Sequence, residues 1–149
     1  MKLLFLDLDG TLLNDKKEIN KADMDAIDEM ISKGHKVIIN TGRPLYSALL
    51  LSEKFGFLRE GFYISSFNGG LIVDPVTKKR LKYDTVPDEI VRHMFDEAYK
   101  LGLHAHTYND EYVVSERDTK ELGFYTKRIS MPPFVVSDFR DALSEGAPK

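Results

Sequence analysis

The stretch KLLFLDLDGTLL, from Lys2 to Leu13, leaves an apolar run and at once places Asp7 and Asp9 two residues apart, with Gly10 and Thr11 directly behind. A short apolar run bounded by Asp and Gly reads as a strand buried on both faces, as in a parallel sheet, ending at Asp7. Two bare carboxylates that close repel each other unless a proton or a positive group lies between them. The pair therefore points toward chemistry.

The pattern repeats outward from this strand. Asn20 caps a helix in which Met24, Ile27, Met30 and Ile31 fall at helical spacing until Gly34 stops the run. Lys36 to Asn40 (KVIIN) is a second strand, and Thr41-Gly42-Arg43-Pro44 leads into a second helix with Pro44 at its first position. Phe62 to Ser65 is a third strand, followed by Phe67-Asn68-Gly69-Gly70. Such alternation predicts a parallel sheet with right-handed crossovers, whose ligands bind beyond the carboxyl ends of the strands. Asp7, Thr41 and Asn68 are therefore expected on one rim.

Beyond Gly70 the rhythm changes. Leu71 to Val73 and Leu81 to Val86 read as a hairpin around a basic turn, Lys78-Lys79-Arg80. Pro87-Asp88 opens a helix with an apolar stripe of Ile90, Val91, Met94, Phe95 and Ala98, ending near Gly102. His104 to Tyr108 and Tyr112 to Val114 flank Asn109-Asp110 as a second hairpin, and a helix over 118–128 precedes a Pro132-Pro133 break. The expected fold class is α/β, a Rossmann-like parallel sheet over 1–84 with an inserted α+β cap module over 85–149.

Three chemistries compete for Asp7-Leu8-Asp9-Gly10-Thr11. An Asp-Gly turn explains Asp9-Gly10 and leaves Asp7 unexplained. An EF-hand calcium loop would align Asp7, Asp9, Thr11 and Glu18, but its sixth position is Leu12 where glycine is needed, and a strand stands where a helix should precede it. The third is covalent phosphoryl transfer, in which one carboxylate attacks phosphorus and a second supplies and removes a proton. Residues i and i+2 of an extended segment point to the same side, so both acids can face one phosphate. Carboxylate and phosphate repel, so Mg²⁺ held by oxygen ligands is expected, and Asp9 must begin protonated with a raised pKa.

Asp7-Leu8-Asp9-Gly10-Thr11-Leu12-Leu13 resembles the first motif of the haloacid dehalogenase superfamily. Asn40-Thr41-Gly42-Arg43-Pro44 resembles its second motif as found in Cof-type sugar phosphatases, and Phe67-Asn68-Gly69-Gly70 is similar to the Asn-Gly stretch after the third strand of that group. The resemblance implies a phosphatase acting on small phosphorylated metabolites such as sugar phosphates. Asp7 would be the nucleophile and a Mg²⁺ ligand, and Asp9 the general acid and base, with its backbone carbonyl on the metal. Thr41 and Gly42 would bind the phosphoryl group at a helix start, where the dipole favours anions, with Gly10 and Thr11 shaping the loop. Arg43 and Asn68 fall near the substrate. A Thr capping a helix at a tight turn would give Thr41 the same local shape. A receiver domain also forms an aspartyl-phosphate, but its acceptor belongs after a later strand.

The resemblance also implies a Lys and a Gly-Asp-x-x-x-Asp acidic pair. Every Gly here is followed by a residue other than Asp, and Lys78, Lys79 and Lys82 are the nearest stand-ins for the lysine. The chain is expected to be the amino-terminal portion of such a protein, shortened at the gene or by proteolysis, with one sheet edge left uncovered for pairing with another chain. The alternative is an inactive phosphate-binding or dimer-forming remnant.

Composition narrows the classes further. The 149 residues carry a net charge of -3, with Lys and Arg scattered and the densest basic run, Lys78-Lys79-Arg80, on a hairpin turn, which argues against a nucleic-acid partner. No cysteine is present, so a disulfide framework is excluded. Met1 to Leu6 is too short for a signal-peptide core or a membrane span, and a cytoplasmic protein is expected. His104 and His106 suggest zinc, but with no third ligand they are read as lining a sheet face.

Overall fold

Runs of leucine, isoleucine, valine and phenylalanine fit a pleated, buried surface, and they become strands. In the computed structural model, which describes residues 1–148, β1 (Leu3–Leu6), β2 (Lys36–Asn40) and β3 (Phe62–Ser66) pair in parallel, with Leu3 opposite Lys36 and Val37 opposite Phe62. Helix α1 (Lys21–Ser32) joins β1 to β2 and begins where Asn20 Oδ1 accepts from Ala22 N at 2.9 Å. Helix α2 (Leu45–Lys54) joins β2 to β3; Pro44 stands at its cap, one residue before the expected position. Met24, Ile27 and Ile31 from α1 and Leu45, Ala48 and Leu49 from α2 share one core with Leu4, Leu6, Val37, Ile39, Phe62 and Ile64. Both helices thus cover the same face of the sheet.

That arrangement corrects the expectation for β1. Leu3 and Phe5 are 54% and 61% exposed, because β1 is the edge strand and only its Leu4 and Leu6 side meets the helices. On the far side, β4 (Leu71–Val73) and β5 (Arg80–Tyr83) extend the sheet antiparallel to five strands. The hairpin strand expected from Leu81 to Val86 therefore ends at Tyr83.

A first compact unit spans Met1–Tyr83 and a second begins at Asp84. In the second, β6 (Thr85–Val86) pairs antiparallel with β10 (Ala147–Pro148), a partner no local pattern announces. Helix α3 (Asp88–Lys100) buries Val91 and Phe95 against Phe139, while Ile90 and Met94 of the expected stripe remain exposed. β7 (Thr107–Tyr108) and β8 (Val113–Ser115) form the expected hairpin, shortened at its start. Helix α4 (Lys120–Ile129) is capped by Thr119, whose Oγ1 accepts from Leu122 N at 3.2 Å. The Pro132-Pro133 break opens β9 (Pro133–Val135), parallel to β8; proline is tolerated as the first residue of an edge strand. Among the described residues no helix is long and apolar enough to cross a membrane.

Candidate functional site

The chain curls back as it leaves β1. Leu12 N donates to Asp7 O at 3.2 Å and Leu13 N to Leu8 O at 2.8 Å, with Gly10 at φ +79 supplying a left-handed turn. Leu8 is fully buried at 0% exposure, whereas Asp7 and Asp9 on either side are exposed. The alternation puts both carboxylates on the solvent side.

Two further loops are knit together beside them. Thr41, 3% exposed, donates its N–H to Ser65 O at 2.8 Å and its Oγ1 accepts from Arg43 N at 3.2 Å. Phe67 N donates to Arg43 O and Asn68 N to Thr41 O, both at 3.1 Å. Phe67 and Asn68 hold left-handed backbone (φ 50 and 54) to make this clasp. A Cβ at Gly42 would lie 2.9 Å from Asn68 Oδ1, so glycine is what lets the Asn68 side chain close over the loop. The loops after β1, β2 and β3 do gather at one rim. Arg43 links them, its Nε donating to Asp9 Oδ2 at 2.7 Å, its Nη2 to Asp9 Oδ1 at 3.0 Å and its Nη1 to Ser47 Oγ at 3.1 Å.

Asp9 departs from expectation. The Arg43 hydrogen bonds above all, with Lys17 adding to them and burial opposing, hold its carboxyl at a pKa of about 2 and so ionised, the reverse of the protonated start the sequence reading requires. Lys17 Nζ donates to Asp9 Oδ1 at 2.7 Å and is a residue that sequence reasoning missed. Ser47, the Arg43 partner on α2, was missed as well. Lys82, one of the proposed stand-ins, donates to Gly69 O at 3.0 Å.

Among the described residues no group of three His, Cys, Asp or Glu side chains is placed to hold a metal. The donors expected from the sequence are the Asp7 carboxylate and the Asp9 backbone carbonyl. Both are oxygen, which suits Mg²⁺, an ion that commonly takes one or two carboxylates and keeps several waters. In the second unit, His104 Nε2 and His106 Nδ1 lie 2.9 Å apart as a hydrogen-bonded pair.

The haloacid dehalogenase-like hydrolase family matches residues 4–145. The chain is 32% identical over 147 residues to the 5-amino-6-(5-phospho-D-ribitylamino)uracil phosphatase YitU of Bacillus subtilis (strain 168), covering 96% of this chain and 52% of that protein. A haloacid dehalogenase-like hydrolase from Bacteroides thetaiotaomicron superimposes with a TM-score of 0.83 at 27% identity, covering 98% of this chain and 55% of that one. The Thermotoga maritima protein TM0651 does so with a TM-score of 0.76 at 28% identity, covering 99% and 53%. The chain spans about half the length of the curated relatives it matches. With the family match running through nearly every element described above, and its motif residues gathered at one rim, the chain belongs to the haloacid dehalogenase-like hydrolases.

Proposed function

We propose that this chain carries half of the active site of a Mg²⁺-dependent phosphatase acting on small phosphorylated metabolites, sugar phosphates and their relatives. The observation that carries the reading is the pair of solvent-facing carboxylates held across a buried Leu8, with Thr41, Gly42, Arg43 and Asn68 clasped beside them. YitU, named for a phosphorylated ribityl compound, supports this substrate class. Such metabolites place the reaction in the cytoplasm.

In this reading an Asp7 carboxylate oxygen forms a bond to phosphorus as the bond to the leaving oxygen breaks. Asp9 gives that oxygen its proton. Asp9 then takes a proton from water, whose oxygen attacks the aspartyl-phosphate and releases inorganic phosphate with Asp7 regenerated. For Asp9 to be protonated, Arg43 and Lys17 must move off its carboxylate, and an arriving phosphate dianion competes for both cations. Thr41 Oγ1 and the Gly42 N–H would orient the phosphoryl oxygens, and Asn68 would border the leaving group. Asp7 and the Asp9 carbonyl would hold Mg²⁺, which when bound screens the repulsion between carboxylate and phosphate.

The test is release of inorganic phosphate from p-nitrophenyl phosphate and a sugar phosphate panel, with and without Mg²⁺, beside Asp7→Asn. Release that needs both Mg²⁺ and Asp7 is expected; equal release by the variant would overturn the reading. A second reading, an inactive remnant that self-associates, is favoured by the exposed Leu3 and Phe5 on edge strand β1. It predicts a dimer in sedimentation velocity that Phe5→Lys dissociates.

A further inference from the structure

We propose that Lys17 is a phosphate-positioning residue of this site, parked on Asp9 until a phosphoryl group draws its ammonium across. The inference rests on the phosphatase reading. It starts from charge. Two carboxylates, Asp7 and Asp9, face solvent at the rim, and a phosphate entering there adds further negative charge. Arg43 and Lys17 are the cations that the structure brings onto Asp9. Lys17 Nζ shares Oδ1 with Arg43 Nη2, so one of the two can leave without stripping that oxygen of a donor.

The loop that carries Lys17 is tied so as to present it. Asn14 Oδ1 accepts from Lys16 N at 2.9 Å and from Glu18 N at 3.0 Å. Asn14 N donates to Glu18 O at 3.0 Å, and Lys17 N donates to Asn14 O at 2.9 Å. Between these ties Lys17 holds left-handed backbone, φ 57, which a β-carbon disfavours. Its side chain is 54% exposed, so the ammonium is free to swing while its root is held. Lys78 shares this left-handed backbone (φ 59) in the exposed turn between β4 and β5, so what singles out Lys17 is its ammonium on Asp9; Lys82 is tied to Gly69 O.

The test uses the full chain without metal, in EDTA at low salt, and reads inorganic phosphate binding by calorimetry. Lys17→Gln is expected to weaken binding about fivefold, the upper end for a part-exposed ion pair, and Lys17→Arg to restore it. Asp9→Asn releases both cations and is expected to tighten binding. In that background Lys17→Gln should cost more than it does alone, a coupling that a merely structural lysine would not show. Thermal melts check that each variant folds. If Lys17→Gln stays within about twofold of its parent in both backgrounds while Arg43→Ala and Thr41→Val weaken binding, the proposal for Lys17 is overturned and the phosphate site stands. If no phosphate binds, or none of these substitutions changes it, the site reading falls and Lys17 with it.

Discussion

A polar cluster at the rim of the first unit and one in the second are built in opposite ways. At the rim of the first unit, Arg43 and Lys17 are charged groups on loops that both pair with Asp9, with Lys17 and Asp9 exposed and Arg43 half-buried. In the second, Thr119 Oγ1, His104, His106, Tyr108 and Tyr125 form a chain of hydrogen bonds, with His104 Nδ1 2.9 Å from Thr119 Oγ1 and His106 Nε2 3.0 Å from Tyr108 OH. Every imidazole nitrogen in that chain has a partner, and each link shares one proton, so neutral rings satisfy the chain in a single direction. Burial keeps it neutral. It lowers His104, lowers His106 to about 4 with help from His104, and raises the Tyr108 hydroxyl together with the Tyr125 hydrogen bond. The comparison teaches that opposite charges fix ionisation in the exposed cluster, and that burial suppresses it in the hydrogen-bonded chain of the second unit.

The harshest way to break the comparison is to remove part of the core of one unit. Phe57 stacks on Phe62 with ring centroids 4.9 Å apart in the first unit, and Phe139 lies 5.1 Å from Phe95 in the second. Each is fully buried. Phe57→Ala and Phe139→Ala should each cost about 3 to 5 kcal/mol, read by chemical denaturation. Hydrogen exchange should lose protection chiefly within the substituted unit. Equal loss in both would show that the two clusters share one cooperative core.

Acid separates the clusters by mechanism. His106 has a folded pKa of about 4, below its unfolded value near 6.5, so between those limits the unfolded chain binds the extra proton. Stability from this group is present above pH 6.5 and is lost as pH falls toward 4, on the order of 3 kcal/mol. Asp9, also depressed, keeps its contribution until pH falls through about 4 toward 2. The second unit should therefore loosen first. His106→Gln should flatten the upper window and Asp9→Asn should leave it unchanged, both read as melting temperature against pH.

Legibility follows the same division. The strand before Asp7, the Asn20 cap and the placing of Thr41 and Asn68 after β2 and β3 are set by neighbouring residues, and the sequence shows them. Arg43 meeting Asp9 depends on how β1 and β2 register, and Lys17 reaching Asp9 depends on the φ of one residue in a loop; neither leaves a periodic trace. β6 finds β10 about sixty residues away, a pairing set by tertiary contact that propensity cannot reveal. The double proline masked β9 because the same residue that ends a helix can also start an edge strand.

A gentler probe acts on the end of the neutral chain. Thr119 Oγ1 both caps α4 and meets His104 Nδ1. Thr119→Ala should cost about 1 kcal/mol and Thr119→Ser much less, since serine keeps the oxygen.

The smallest effect on stability is expected where the effect on binding is largest. The Asp9 carboxylate is 38% exposed, so its pairs with Arg43 and Lys17 gain little from a low dielectric and are weakened by salt. Arg43→Ala should change the unfolding free energy by less than about 1 kcal/mol, and by less still in high salt. The same substitution removes a fork that reaches both Asp9 oxygens and Ser47, and inorganic phosphate binding should fall more steeply than for Lys17→Gln. A stability loss as large as that of Thr119→Ala, with phosphate binding intact, would mean that the rim cluster is a structural ion pair. The contrast between the two clusters would then collapse into one of exposure alone.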